Sequence, residues 1–241
     1  MRLTNVRMIS LGAVALVVVP CAACNAQARE AKGKYPRMAP VEQYLMPNRV
    51  EEIALARTAA PASISGNAEV LVLGRHGYET AVKGTNGFGC LVDRAWDAGF
   101  ESDQFWNPKI RGPVCFNPPA ARSILPLVLE RARLALDGLT MSQIMDSTNA
   151  ATTRKGNPTL QPGAICYMMS KEAYLTDDDG HNMAHLMLYS LQVDGATLGA
   201  DARGSPVIMG QRSVPGAPVP ITEFYVAVPM WSDGTPATGH E

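Results

Sequence analysis

The run from Glu69 to Val92 constrains the fold most. Glu69-Val70-Leu71-Val72-Leu73 is short, apolar and rich in β-branched residues, and it stops at Gly74. Runs of this length and composition, bounded by turn residues, read as strands. Arg75-His76-Gly77 reads as a turn, Tyr78 to Lys83 as a second strand and Phe88 to Val92 as a third. Thr85-Asn86-Gly87 stands between the last two, and Asn-Gly tolerates the positive φ that a tight hairpin demands. Three strands in series with tight turns predict an antiparallel meander.

Helices announce themselves by their ends. Asn48 can cap a helix with Glu51 three residues on, and Val50, Ile53 and Ala54 then share one face; Pro61 and the Ser63–Asn67 stretch close it. Asn117-Pro118 is a cap followed by a first-turn proline, opening a block whose apolar face carries Leu125, Leu129, Ala132, Leu134 and Leu136. Pro126 either kinks that block or restarts it, and Asp137-Gly138 ends it. Thr140 with Gln143 is a capping box for a further helix running to about Ala150. Thr152 to Gly163 is a polar loop. Strand-like composition returns at Ala164–Ser170, Ala184–Gln192 and Glu223–Val228, and the Gly/Pro-rich segment 195–220 is expected to be largely loop. Strands, then helices, then strands, without βαβ alternation, predict an α+β fold. Its sheet is mostly antiparallel, an N-terminal three-strand meander plus C-terminal strands, packed with two to four helices.

The first 28 of the 241 residues carry the three parts of an export signal. Arg2 and Arg7 are positive, Ile9 to Val19 is apolar, and Ala26-Gln27-Ala28 offers small residues for cleavage. The apolar stretch is too short for a membrane span, which takes roughly 20 residues. Cys24, preceded by Ala23, provides an alternative outcome, lipidation and anchoring. The expected organisation is a signal peptide over 1–28, an extended Pro-containing arm over 29–47 and a single α+β domain over 48–241. Loss of Arg2 and Arg7 leaves 19 basic against 22 acidic residues, a formal charge of −3. No basic patch points to nucleic acid, and no later apolar stretch approaches a membrane span. The protein is therefore expected in the periplasm or secreted medium.

Cleavage would also remove Cys21 and Cys24, leaving Cys90, Cys115 and Cys166 in an oxidising compartment. Either Cys90 pairs with Cys115 and an odd thiol remains, or all three are small buried hydrophobes.

Reactive side chains crowd into one stretch, Cys166 to Tyr189. It holds Cys166, Ser170, Lys171, the acidic turn Asp177-Asp178-Asp179-Gly180, His181 and His185. If residues 181–187 are extended, His181, Met183, His185 and Met187 point one way. Imidazole with thioether suits copper. Zinc held by His181, His185 and an acidic residue such as Asp179 is the second metal option. The zincin motif is missing, because Asn182 follows His181 where a general-base Glu would stand. The same residues also read as a solvated turn, core methionines and hydrogen-bonded histidines. Cys166 with a histidine base would be a nucleophile pairing, although no local signature accompanies it. The glycines at 74, 77, 84, 87 and 89 precede no Gly-Lys-Ser/Thr, so no phosphate cradle is expected. Trp96 and Trp106 with Arg111 could line a groove for a small ligand or instead close the core.

Trp106-Asn107-Pro108-Lys109, Gly112-Pro113-Val114-Cys115-Phe116-Asn117-Pro118 and Cys166-Tyr167-Met168-Met169-Ser170-Lys171 resemble segments of hypothetical exported bacterial proteins, over residues 50–235. The resemblance implies no activity and assigns no role to any residue. Two functional expectations stand: an exported, non-catalytic or ligand-binding domain, and a metal-dependent enzyme or copper/zinc-binding protein centred on His181 and His185.

Overall fold

The structure is a computed structural model, which describes residues 34–151, 159–178, 182–210 and 221–237. The stretch read as an export signal, with Cys24, and Asp179 and His181 lie outside the described residues.

Eight strands among these residues form one sheet: β1 (Glu69–Gly74), β2 (Gly77–Val82), β3 (Gly89–Asp93), β4 (Gly112–Phe116), β5 (Ile165–Met168), β6 (His185–Leu191), β7 (Val207–Met209) and β8 (Ile221–Ala227). Their spatial order is β2-β1-β3-β4-β5-β6-β8-β7. Every neighbouring pair is antiparallel except β1 and β3, which run parallel. Five helices accompany it: α1 (Arg49–Arg57), α2 (Ala62–Ser65), α3 (Pro118–Ser123), α4 (Leu125–Leu136) and α5 (Met141–Ala151). The α+β class with a mostly antiparallel sheet is thus observed. The helix beyond the expected two to four is the single turn α2, which forms in the stretch read as the end of α1.

The N-terminal meander is corrected. β1 and β2 form the expected hairpin, but β3 lies on the other side of β1 and parallel to it. Burial explains the choice. β1 is buried across Val70–Leu73, whereas β2 exposes Glu79 and Thr80 and so takes the sheet edge. The apolar β3 then takes the inner flank of β1. Thr85-Asn86-Gly87 therefore turns a crossing under the start of β1, with Phe88 O accepting from Glu69 N at 2.8 Å and Asn67 O from Thr85 N at 2.8 Å. That crossing needs Gly84: a Cβ there would lie 2.1 Å from Glu69 N and 2.7 Å from Ala68 C, both backbone. Gly84→Ala is expected to cost about 1–3 kcal/mol as an overpacking change, read as a lower urea midpoint with an unchanged slope; an unaltered midpoint would contradict this packing.

The caps form where expected. Asn48 Oδ1 accepts from Val50 N at 2.9 Å, and Asn48 Nδ2 donates to Glu51 at 3.0 Å. Asn117 caps α3, accepting from Ala120 N at 3.0 Å. Pro126 sits in the first turn of α4, so the helix restarts there. Thr140 and Gln143 exchange bonds at 2.9 and 3.3 Å. The inward face of α1 differs from the expected one: Val50 is 72% exposed, and Glu52 and Ala56 face the sheet instead. β4, for which no strand was expected from the sequence, is buried at every position despite Pro113. Pro113 is tolerated because β5 pairs only with Cys115 and Phe116, so the ladder on that side ends before it. Within 195–220, β7 is a short edge strand, and 211–220 lies outside the described residues.

α1 covers one face of the β1-β3-β4 half, where Val70, Cys90, Val92 and Cys115 meet Ala56, Ala59 and Ala60. The opposite face packs Leu71, Leu91, Val114 and Phe116 against Ala120, Ile124, Leu125 and Val128 of α3 and α4. Among the described residues no helix covers the β6-β8 half of that second face, and this shapes the site. No helix among the described residues is long and apolar enough to cross a membrane.

Candidate functional site

A cleft of about 640 Å³ opens between α4, the 94–104 loop and the uncovered strands. Register places its floor. Asp93 lies opposite Gly112, Met168 opposite His185, Met187 opposite Tyr225 and Tyr189 opposite Glu223, all on one face. Among the described residues six acidic side chains line it, Asp93, Asp97, Glu101, Asp103, Asp178 and Glu223, against the basic Arg94. Arg94 is already paired with Glu52 at 2.7 Å, so acidic side chains dominate the described lining. Glu101, Asp103 and Asp178 form the exposed rim, and Glu223 is buried in the floor at 4% exposure.

One end of the cleft is a carboxyl pair. Asp93 ends β3, and Asp97 ends the 3-10 turn Ala95–Asp97, four residues on. Both are half-buried, and both line the cleft. Burial first, and the Asp97 charge second, push Asp93 well above the ordinary carboxyl range. Burial also raises Asp97, opposed by the Arg131 charge. Arg131, from α4 and 4% exposed, donates to Asp97 O at 3.5 Å and to Ala98 O, its guanidinium lying 4.3 Å from the Phe100 ring centre. Asp93 Oδ1 is sealed from solvent and has no hydrogen-bond partner.

The other end holds His185, Glu223 and Tyr225. His185 Nδ1 lies 2.6 Å from Met183 O. A ring nitrogen beside a carbonyl carries its proton there, which leaves Nε2 as an acceptor. Burial pushes the His185 pKa below the ordinary histidine value. Its ring meets Tyr225 edge-on with centres 5.1 Å apart, and Tyr225 OH donates to Glu223 at 3.5 Å. Three interstrand steps separate β3 from β6, so the two ends stand roughly 14 Å apart.

A second carboxylate braces the cleft's outer loop. Asp177, next to the lining residues Leu175, Thr176 and Asp178, accepts from Tyr35 at 2.6 Å and Lys109 at 3.1 Å, and also from Lys34 and Tyr174. Lys34 foremost, with the other three donors, holds this carboxyl well below its usual range. A lowered folded-state pKa gives stability that is present above the unfolded value of about 3.9 and lost as pH falls through the folded one. Asp177→Asn should therefore melt below the parent at pH 7, and the gap should begin to narrow only below about pH 4 and go on narrowing at more acid pH; a gap independent of pH would contradict the ion pairing.

The expected site residues are distributed differently. Trp96 and Trp106 are 1% and 3% exposed, in a core cluster with Tyr44, Phe105 and Ile144. Arg111 donates to Pro108 O at 2.9 Å, Ile110 O at 2.6 Å and Gln43 O at 3.2 Å, pinning the arm. Of the metal set, His185 faces the cleft, Met183 precedes β6 and offers its carbonyl, and Asp179 and His181 lie outside the described residues. Among the described residues no three His, Cys, Asp or Glu side chains gather as a metal would need. Cys90 and Cys115 form the expected disulfide from directly opposite positions of β3 and β4, with Cα atoms 4.1 Å apart. Cys166 is the free, buried thiol, and burial pushes its pKa well above the ordinary value. Asp93, Asp97, Arg131 and Glu223 were not singled out from the sequence. Glu223-Phe224-Tyr225 did carry a signal, since a strand period of two places Glu223 and Tyr225 on one face.

Fold and site together define an α+β domain with an acid-lined cleft over the uncovered half of its sheet. No family model, no curated protein and no solved structure matches the chain.

Proposed function

We propose that this is an exported binding protein whose cleft takes a small cationic molecule, an amine or guanidinium with an aliphatic body. One observation carries the reading: six carboxyl side chains line a cleft whose basic residue, Arg94, is already ion-paired. A volume of about 640 Å³ suits a small ligand. Met168, Met187 and Tyr225 supply apolar floor for an alkyl chain, and the Tyr225 ring can face a cation. The export signal and the Cys90–Cys115 disulfide both support an oxidising, extracytoplasmic setting.

Calorimetry with 1,4-diaminobutane and agmatine, against succinate and butanol, tests the proposal. Both amines should bind, more tightly as salt is lowered, because salt screens exposed charges. Glu223→Gln should weaken them about tenfold, roughly 1.4 kcal/mol. Succinate binding as well as the amines, or no binding by either amine, would overturn the reading.

Copper or zinc at His185, with His181 as a further ligand, is the second reading. Its support is the Met183 carbonyl, which fixes the His185 tautomer and leaves Nε2 as an acceptor, as in metal-ligating histidines. Stoichiometric metal that is lost on His185→Ala would favour it over amine binding. The leading proposal expects amine affinity to be unchanged by a chelator.

A further inference from the structure

We infer that the cleft takes its cation as a linear dication, an α,ω-diamine or an aminoalkyl guanidine, with one nitrogen at the Asp93–Asp97 end and the other beside His185 and Glu223. This rests on the cation-binding reading and names the ligand class.

Hydrogen-bond acceptors are left over at both ends of the cleft. At the first, Asp93, Asp97 and Glu101 face the Arg131 guanidinium, whose donors go instead to the main-chain carbonyls of Asp97 and Ala98. Asp93 Oδ1 has no hydrogen-bond partner among the described residues, although buried acceptors are ordinarily met. At the second, His185 is 7% exposed and lines the cleft. Its Nδ1 donates to Met183 O, and among the described residues no donor meets Nε2. Glu223, 4% exposed, brings a carboxyl to this end. Tyr225 touches both, its ring centre 5.1 Å from that of His185 and its hydroxyl 3.5 Å from the Glu223 carboxyl. A nitrogen that carries N–H donors and a positive charge supplies what each end lacks.

Spacing sets the ligand's shape. Among the described residues no three His, Cys, Asp or Glu side chains gather as a compact metal cation would need. The acceptors are split between the ends, with three interstrand steps, roughly 14 Å, from β3 to β6. Between them the floor is apolar, with Met168 and Met187 on it and Gly112 opposite Asp93. A Cβ at Gly112 would stand 3.2 Å from Met168 Cε and 3.1 Å from Leu175 Cδ2, so bare backbone keeps this part of the floor low. A chain of four methylenes holds its two nitrogens about 6 Å apart. A charge-assisted hydrogen bond of about 2.8 Å at each nitrogen extends the reach to about 12 Å, close to the separation of the ends. A monoamine meets one end and leaves the acceptors of the other unmet.

Calorimetry at pH 7 with 1,4-diaminobutane and 1-aminobutane, which share a methylene chain and differ by one nitrogen, tests the inference. The parent chain should bind the diamine about tenfold more tightly, because its second nitrogen engages the second end at high effective concentration. In Glu223→Gln and in Asp97→Asn, each first shown to melt cooperatively, that advantage should shrink to about twofold or less. Equal affinity of the parent for the two amines would overturn the dication assignment and leave the cation-binding reading standing, and this comparison needs no variant. A diamine advantage undiminished in both variants would overturn the placement of the two nitrogens. Binding of neither amine would overturn the cation-binding reading and the dication assignment with it.

Discussion

Glu52→Ala is expected to destabilise the fold by about 3–5 kcal/mol, the range for breaking a buried pair by removing one partner. Glu52 and Arg94 have side chains 2% and 0% exposed and meet at 2.7 Å. The pair joins four parts of the chain. Glu52 comes from α1 and accepts from Leu73 N of β1 at 3.2 Å, while Arg94 follows β3 and donates to Tyr44 O of the arm at 2.7 Å and to Val92 O. Without the carboxylate, Arg94 is a buried cation with carbonyl partners only. Total stabilities run about 5–15 kcal/mol, so the loss is a large share. At about 2–4 °C per kcal/mol for a domain of this size, the melting point should fall by about 10 °C. Glu52→Leu combined with Arg94→Met should recover much of the loss, because an apolar pair removes the desolvation penalty of both ions. A single variant within 1 kcal/mol of the parent would show that Arg94 finds other compensation.

Removing the disulfide with Cys90→Ala and Cys115→Ala is expected to cost about 3.5 kcal/mol, the loop-closure value for a separation of 25 residues. Both cysteines are fully buried beneath α1, among Ala56, Ala59 and Ala60. Reductant should therefore open the bond slowly in native buffer and quickly once denaturant exposes it. Thiol counting gives the complementary test. Unreduced, denatured protein lacking the leader should show the single thiol of Cys166; three reactive thiols would contradict the bridge.

Local signals were legible in the sequence. The Asn48, Asn117 and Thr140 caps and the Gly138 stop each depend on a few neighbouring residues, and each forms as read. The pairing of Cys90 with Cys115 was legible as one of two outcomes. Sheet order was not, because burial rather than turn chemistry chose β3 over β2 as the inner neighbour of β1. The inward face of α1 was hidden because its central residue is the charged Glu52, and polarity patterning sends such residues outward. Pro113 hid β4 by the usual rule against proline in a strand. The aromatic residues around Trp96 and Trp106 carried no mark separating a groove from a core. The cleft was illegible for a related reason. Asp93 and Glu223 are 130 residues apart in the chain and meet one cleft only through the ladder from β3 across to β8.

Where an added cation sits tests the central claim most directly. In a titration of the 15N-labelled protein with 1,4-diaminobutane, amide shifts should concentrate at Asp93, Asp97, His185, Glu223 and Tyr225 and saturate together. Glu223→Gln should weaken the response at both ends of the cleft. Shifts scattered over the acidic surface without saturation, or an unperturbed cleft, would contradict a cation-binding site there.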